Sequence, residues 1–181
     1  FGTPVVYFSA RSHGNKATFD TNAGKSLVVW LDDDNNDVES AVATISGTNV
    51  SFGSTVTVDA NANYDEVVFD SSSNKVVVVY RDLGNSNYGT AIVGTISGTS
   101  VSFGSEVVFN TGSTEDIHCA FDSTNNKVII SFKAGSDGDK AKAIVGTVSG
   151  TAISFGSLAT INDAASQQPK PVYNSVQQEL I

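Results

Sequence analysis

One phrase written three times limits what this chain can fold into. Ile92–Ser105 reads IVGTISGTSVSFGS and Ile144–Ser157 reads IVGTVSGTAISFGS, with eleven of fourteen positions identical. A shorter version, VATISGTNVSFGS, stands at Val42–Ser54. Phe-Gly marks recur at Phe1, Phe52, Phe103 and Phe155, at spacings of 51, 51 and 52 residues. An unrelated mark, aromatic-Asp, recurs at Phe19, Phe69 and Phe121, with Tyr173-Asn174 as a weaker fourth copy. Its spacings are 50, 52 and 52. Two unrelated marks with one period define a repeat architecture, in which each unit needs a neighbour to cover its apolar face.

Each period divides into four strand-like runs, which in the second copy are Glu66–Phe69, Lys75–Arg81, Thr90–Ser97 and Ser100–Phe109. The second run, KVVVVYR, is almost continuously apolar, as expected of a strand covered on both faces. The third and fourth runs alternate and are rich in Ser and Thr. Between the first two runs, Asp20, Asp70 and Asp122 open a turn that Gly24, Asn74 and Asn126 close. Asp can accept bonds from the next backbone amides, and Gly or Asn tolerates the left-handed backbone. Ser-Gly-Thr at Gly47, Gly98 and Gly150 marks a second tight hairpin.

No stretch has helical spacing with caps at both ends, so the expected fold is all-β. A four-stranded antiparallel meander of about 51 residues matches the blade of a β-propeller. A β-sandwich or a β-solenoid is the alternative. The expected divisions are residues 1–10 as an orphan last strand, 11–59, 60–110 and 111–162 as blades, and 163–181 as an incomplete blade. That makes about three and a half repeats, whereas a propeller closes with about four to eight blades. The chain is therefore expected to be a piece of a longer array, half of a two-chain ring, or a unit that exchanges its terminal strands with a neighbour. A ring in which the two ends share one blade also fits. The absence of methionine, position 1 included, agrees with a processed chain or a piece.

The repeat phrases, typified by FDSSSNKVVVVYRDLGNSNYGTAIVGTISGTSVSFGSEVVF, resemble repeats in large proteins of marine and freshwater phages and bacteria, some of them tail-fibre or adhesin-like. The resemblance runs from Arg11 to Tyr173 and implies a propeller-like, extracellular or virion-surface assembly. It implies no catalytic or ligand-binding residue.

Composition narrows the partners. With 10 Lys+Arg against 19 Asp+Glu, the net charge of −9 argues against nucleic acid and anionic membranes. No apolar run approaches the ~20 residues of a spanning helix, so no membrane insertion is expected. One cysteine, Cys119, and two histidines, His13 and His118, scarcely furnish a zinc site. The acidic run Asp32-Asp33-Asp34-Asn35-Asn36-Asp37 makes Asp32, Asp34 and Asp37 candidate ligands for Ca²⁺, although the loop lacks the Gly and Glu of an EF-hand. Trp30 is a candidate sugar-stacking residue, but Tyr80 and Phe132 fill the same repeat slot, which points to core. Tyr88 is a second candidate. No phosphate loop, dinucleotide fingerprint or nucleophile elbow occurs.

The expected function is a non-enzymatic structural or adhesive module that self-associates through its incomplete ends. A carbohydrate-binding propeller contacting cell-surface glycans is the alternative, and a glycan-cleaving enzyme a weaker one.

Overall fold

The computed structural model describes residues 2–174 and 179–180. Phe1, with the first Phe-Gly mark, and residues 175–178 and 181 of the last division lie outside the described residues. The fold is all-β, in antiparallel sheets of which none closes into a barrel. The first sheet holds β1 (Ser12–Asp20), β2 (Lys25–Asp32), β3 (Asp37–Ser46), β4 (Asn49–Phe52) and β5 (Val56–Asp59). The second holds β6 (Ala62–Asp70), β7 (Lys75–Asp82), β8 (Tyr88–Ser97), β9 (Ser100–Phe103) and β10 (Val107–Asn110). The third holds β11 (Thr114–Asp122), β12 (Lys127–Ala134), β13 (Lys140–Ser149), β14 (Ala152–Phe155) and β15 (Ala159–Ala165). A short hairpin, β16 (Tyr173–Asn174) with β17 (Glu179–Leu180), follows. Among the described residues no helix is long and apolar enough to cross a membrane.

The expected four-strand unit needs correction, because each sheet has five strands. The fourth run divides into two short strands that both pair with the third, as β9 and β10 do on β8. The break falls at the Phe-Gly-Ser mark. Gly104 N–H still donates to Val93 O (2.9 Å), and the chain then leaves the ladder before returning at Val107. Gly53 and Gly156 make the same bond, to Val42 O and Val145 O. Of residues 1–10, expected as an orphan last strand, the described residues 2–10 form no strand.

The turns follow the residue chemistry. The Asp20 carboxylate accepts from the Asn22 and Ala23 amides at 2.8 Å, and Gly24 closes the turn at φ +63°. Asp70 and Asp122 repeat this, closed by Asn74 and Asn126 at positive φ.

Side-chain alternation along the second strands builds two cores. Val76, Val78 and Tyr80 face the first sheet and join Leu27, Val29 and Leu31. Val77 and Val79 face the third and join Val128, Ile130 and Phe132. The continuous apolar run of β7 is thus a strand between two sheets, and Val76 to Tyr80 are wholly buried. In the outer sheets the side chains that point away from the second sheet are less covered, and Val28 and Ile129 are half-buried.

One device docks each sheet on the next. A methyl group placed on Gly53 would lie 1.8 Å from the carbonyl oxygen of Thr99, in the Ser-Gly-Thr turn of the second sheet. Gly104 meets Thr151 of the third sheet at 2.0 Å, and Gly2 meets Thr48 of the first at 2.0 Å. Only glycine permits these approaches. The two halves of the repeated phrase are therefore the two halves of one joint.

Candidate functional site

The first strands lie side by side, β1 next to β6 and β6 next to β11. Each carries a β-bulge at the same place, between His13 and Lys16, Asn63 and Glu66, and Glu115 and His118. Two residues there oppose one on the second strand, which is Trp30, Tyr80 or Phe132. A bulge re-aims side chains. Here the slots on either side of it line a pocket of about 290 Å³, to which Gln168 and Lys170 also contribute. Gly14, Asp116 and Gln168 share one bulge slot and all have positive φ, at 67°, 48° and 46°. The Gln168 amide donates to the Asp116 carboxylate at 3.2 Å.

Charge around the pocket, which Lys16 and His118 line, is organised by repeat position. Lys16, Glu66 and His118 occupy one slot in successive sheets. Glu66 Oε2 lies 3.7 Å from Lys16 Nζ and 3.2 Å from His118 Nδ1. Burial raises the Glu66 pKa, but the His118 hydrogen bond and the Lys16 charge outweigh it and hold it below the ordinary range. Its neighbour Asp65 goes the other way. Asp65 is buried, one of its carboxyl oxygens has no partner, and burial pushes its pKa up to about 7 despite Lys16 and His13. The pocket is thus lined by a carboxyl, Asp65, that keeps its proton near neutrality, while Glu66, outside the lining, holds the lining residues Lys16 and His118. A protonated carboxyl donates a hydrogen bond, which suits a polar, hydroxyl-bearing ligand. At the rim His13 Nδ1 pairs with Asp33, and Arg11 lies 3.6 Å from the same carboxylate.

The residues singled out in the sequence lie elsewhere. Trp30 is wholly buried, with Tyr7 packed on it at 4.9 Å and Phe8 at 5.4 Å between ring centroids. No ring face is left for a sugar, which corrects its selection as a stacking residue. Tyr88 begins β8 opposite Asp82 and is half-buried. The Asp32 carboxylate accepts from the Asp34 amide, and that of Asp37 accepts from the Asn61 amide. Asp34 is exposed. Among the described residues these three do not form a group close enough to share one ion; Asp59, Asp82 and Glu106, at the boundary of the first and second sheets, do. Cys119 packs against the second core, and burial pushes its thiol well up.

The sequence drew attention to His118 only as a poor candidate for a zinc site and gave no sign of Asp65. Its slot holds Asn15, Ile117 and Pro169 in the other copies, so no pattern marks it. Comparison with known protein families, curated proteins and solved structures found no match to this chain.

Proposed function

We propose that the three sheets are blades of a β-propeller and that the chain is a non-enzymatic structural and adhesive module, displayed on a virion or cell surface, that associates with further copies of itself. The observation that carries this reading is a joint with one half missing. Gly2, Gly53 and Gly104 each receive the backbone of a following Ser-Gly-Thr turn, whereas among the described residues only Val145 O, at 3.8 Å, lies near Gly156. Ile161 fills the repeat slot of Val58 and Phe109, which are buried against the next sheet, yet it is 58% exposed. Beside it runs an apolar groove of about 310 Å³ lined by Ile129, Ala143, Pro169 and Pro171. A second copy offers the missing half, Thr48 and Trp30, when its own residues 2–8 give way to the equivalent strand of its neighbour. Such head-to-tail contacts are heterologous and grow until they close.

The test is particle mass across concentration. The chain should form dimers or larger particles at tens of micromolar, and Gly156→Val with Ile161→Asp should leave monomers. A monomer at every concentration, or assembly indifferent to both substitutions, would overturn the proposal.

A second reading, a carbohydrate-binding propeller, draws support from the unpartnered Asp65 oxygen in the pocket. Glycan binding that Asp65→Ala abolishes, measured on an array, would establish it.

A further inference from the structure

Where the first and second sheets meet, three acids converge from two sheets. Asp59 ends β5, Asp82 ends β7, and Glu106 stands in the break between β9 and β10. One oxygen from each lies within 4.8 Å of the other two. Asp82 is buried, Asp59 half-buried and Glu106 exposed, so the group opens to solvent on one side. None of the ion pairs among the described residues involves any of the three.

A second observation points into the same place. Tyr80 is wholly buried, and its hydroxyl is aimed at Asp59 and Glu106 without making a hydrogen bond of proper geometry. A buried hydroxyl left so costs about 1–3 kcal/mol. In the next sheet the same slot is Phe132, which packs equally well without an oxygen. The neighbouring boundary also replaces Asp59 by Asn110, Asp82 by Ala134 and Glu106 by Leu158. Repeat geometry therefore does not require these four oxygen-bearing groups together.

We infer that Asp59, Asp82, Glu106 and the Tyr80 hydroxyl form a site for a divalent cation, with Ca²⁺ as the ion that fits. Ca²⁺ binds oxygen at about 2.3–2.6 Å, so oxygens on one ion lie up to about 4.8 Å apart. The donors are all oxygen and carry up to three negative charges, and water on the Glu106 side completes a coordination number of six to eight. The ion relieves the mutual repulsion of the three carboxylates, which lie within 4.8 Å of one another. It ties the first sheet to the second, through Asp59 on one side and Asp82, Glu106 and Tyr80 on the other. This inference does not depend on self-association.

Isothermal titration of chelator-treated protein with CaCl₂ tests it, alongside Tb³⁺ luminescence excited through tyrosine. The expected result is one Ca²⁺ per chain with a dissociation constant on the order of 0.1–1 mM, the range of extracellular modules. Asp59→Asn and Glu106→Gln should each weaken binding at least about tenfold, because charge count sets affinity. Both variants should fold, since Asn110 and Leu158 stand in the equivalent slots. Tyr80→Phe, the residue of the third sheet, should reduce tyrosine-sensitised Tb³⁺ emission several-fold and leave the circular dichroism spectrum unchanged. No heat of binding up to about 10 mM Ca²⁺ overturns the proposal. Binding that survives Asp59→Asn and Glu106→Gln places the ion elsewhere and overturns it as well.

Discussion

The boundary between the first and second sheets and that between the second and third use one joint and differ in what surrounds it. Gly53 on Thr99 and Gly104 on Thr151 are the same contact, with valines and leucines packed at the first boundary and valines and isoleucines at the second. At the first boundary Asp59, Asp65, Asp82 and Glu106 stand in slots that hold Asn110, Ile117, Ala134 and Leu158 at the second. Asn110 satisfies itself by donating to Gly112 O and Thr114 Oγ1, and Phe109 packs on Phe132 at 5.3 Å. Acids of the third sheet are matched by lysines: Lys133 lies 2.7 Å from Glu115 and Lys142 2.6 Å from Asp137. The first boundary has no such match for its three clustered acids. A repeat keeps what docks one sheet on the next and leaves the remaining slots free to take on charge.

The largest expected difference lies in the aromatic slot. Phe132→Ala should lower stability by about 3–5 kcal/mol in urea unfolding, the cost of a large buried cavity. Tyr80→Phe, measured in chelator, should be neutral or stabilising, since it removes a hydroxyl without a partner. If the two cost the same, the boundaries do not differ as described.

The joint itself should behave alike at both places. Gly53→Val and Gly104→Val drive a side chain into a backbone carbonyl and should each cost about 3 kcal/mol or more. Gly156→Val, in open space, should cost less than about 0.5 kcal/mol. An equal loss at all three would show that the mark acts through its own hairpin and not through the next sheet.

The acidic boundary also carries a pH signature through Asp65. Its folded pKa of about 7 lies above the ordinary 3.8, so the folded chain holds this proton more tightly than the unfolded chain. The stabilisation is complete below about pH 4 and is lost as pH rises through 7. Asp65→Asn should therefore gain stability relative to the parent chain between pH 4 and 8, by on the order of 4 kcal/mol. Urea midpoints in chelator across that range check it. A gap that narrows with rising pH would have the wrong sign. A modest loss is expected at the turn that all three sheets share: Asp70→Ala removes two amide bonds at the first hairpin of its sheet and should cost about 1 kcal/mol.

Much of the fold was legible because it is local. Asp at the head of a turn and Gly or Asn at its end specify a hairpin within six residues, and Asp20, Asp70 and Asp122 do what their chemistry dictates. The apolar run of β7 announced a strand buried on both faces. The division of the fourth run was not legible. Ser100–Phe103 alternates and Val107–Phe109 is apolar throughout. The same break recurs at Gly156, where no following turn approaches among the described residues, so it belongs to each sheet and not to the joint. Trp30 illustrates the limit for sites, since a lone tryptophan reads as a platform until Tyr7 and Phe8 are seen on it.

By itself the sequence determined the repeat, its period, its hairpins and which slots are apolar, since these depend on neighbours a few residues apart or on a comparison of copies. The tertiary structure alone decided that the glycine of one copy receives the turn of the next. It also decided that Asp65 is buried in a pocket and that Asp59, Asp82 and Glu106 meet at one point. Those are contacts between sheets, set by how one twisted surface seats on another, and spacing along the chain does not encode them.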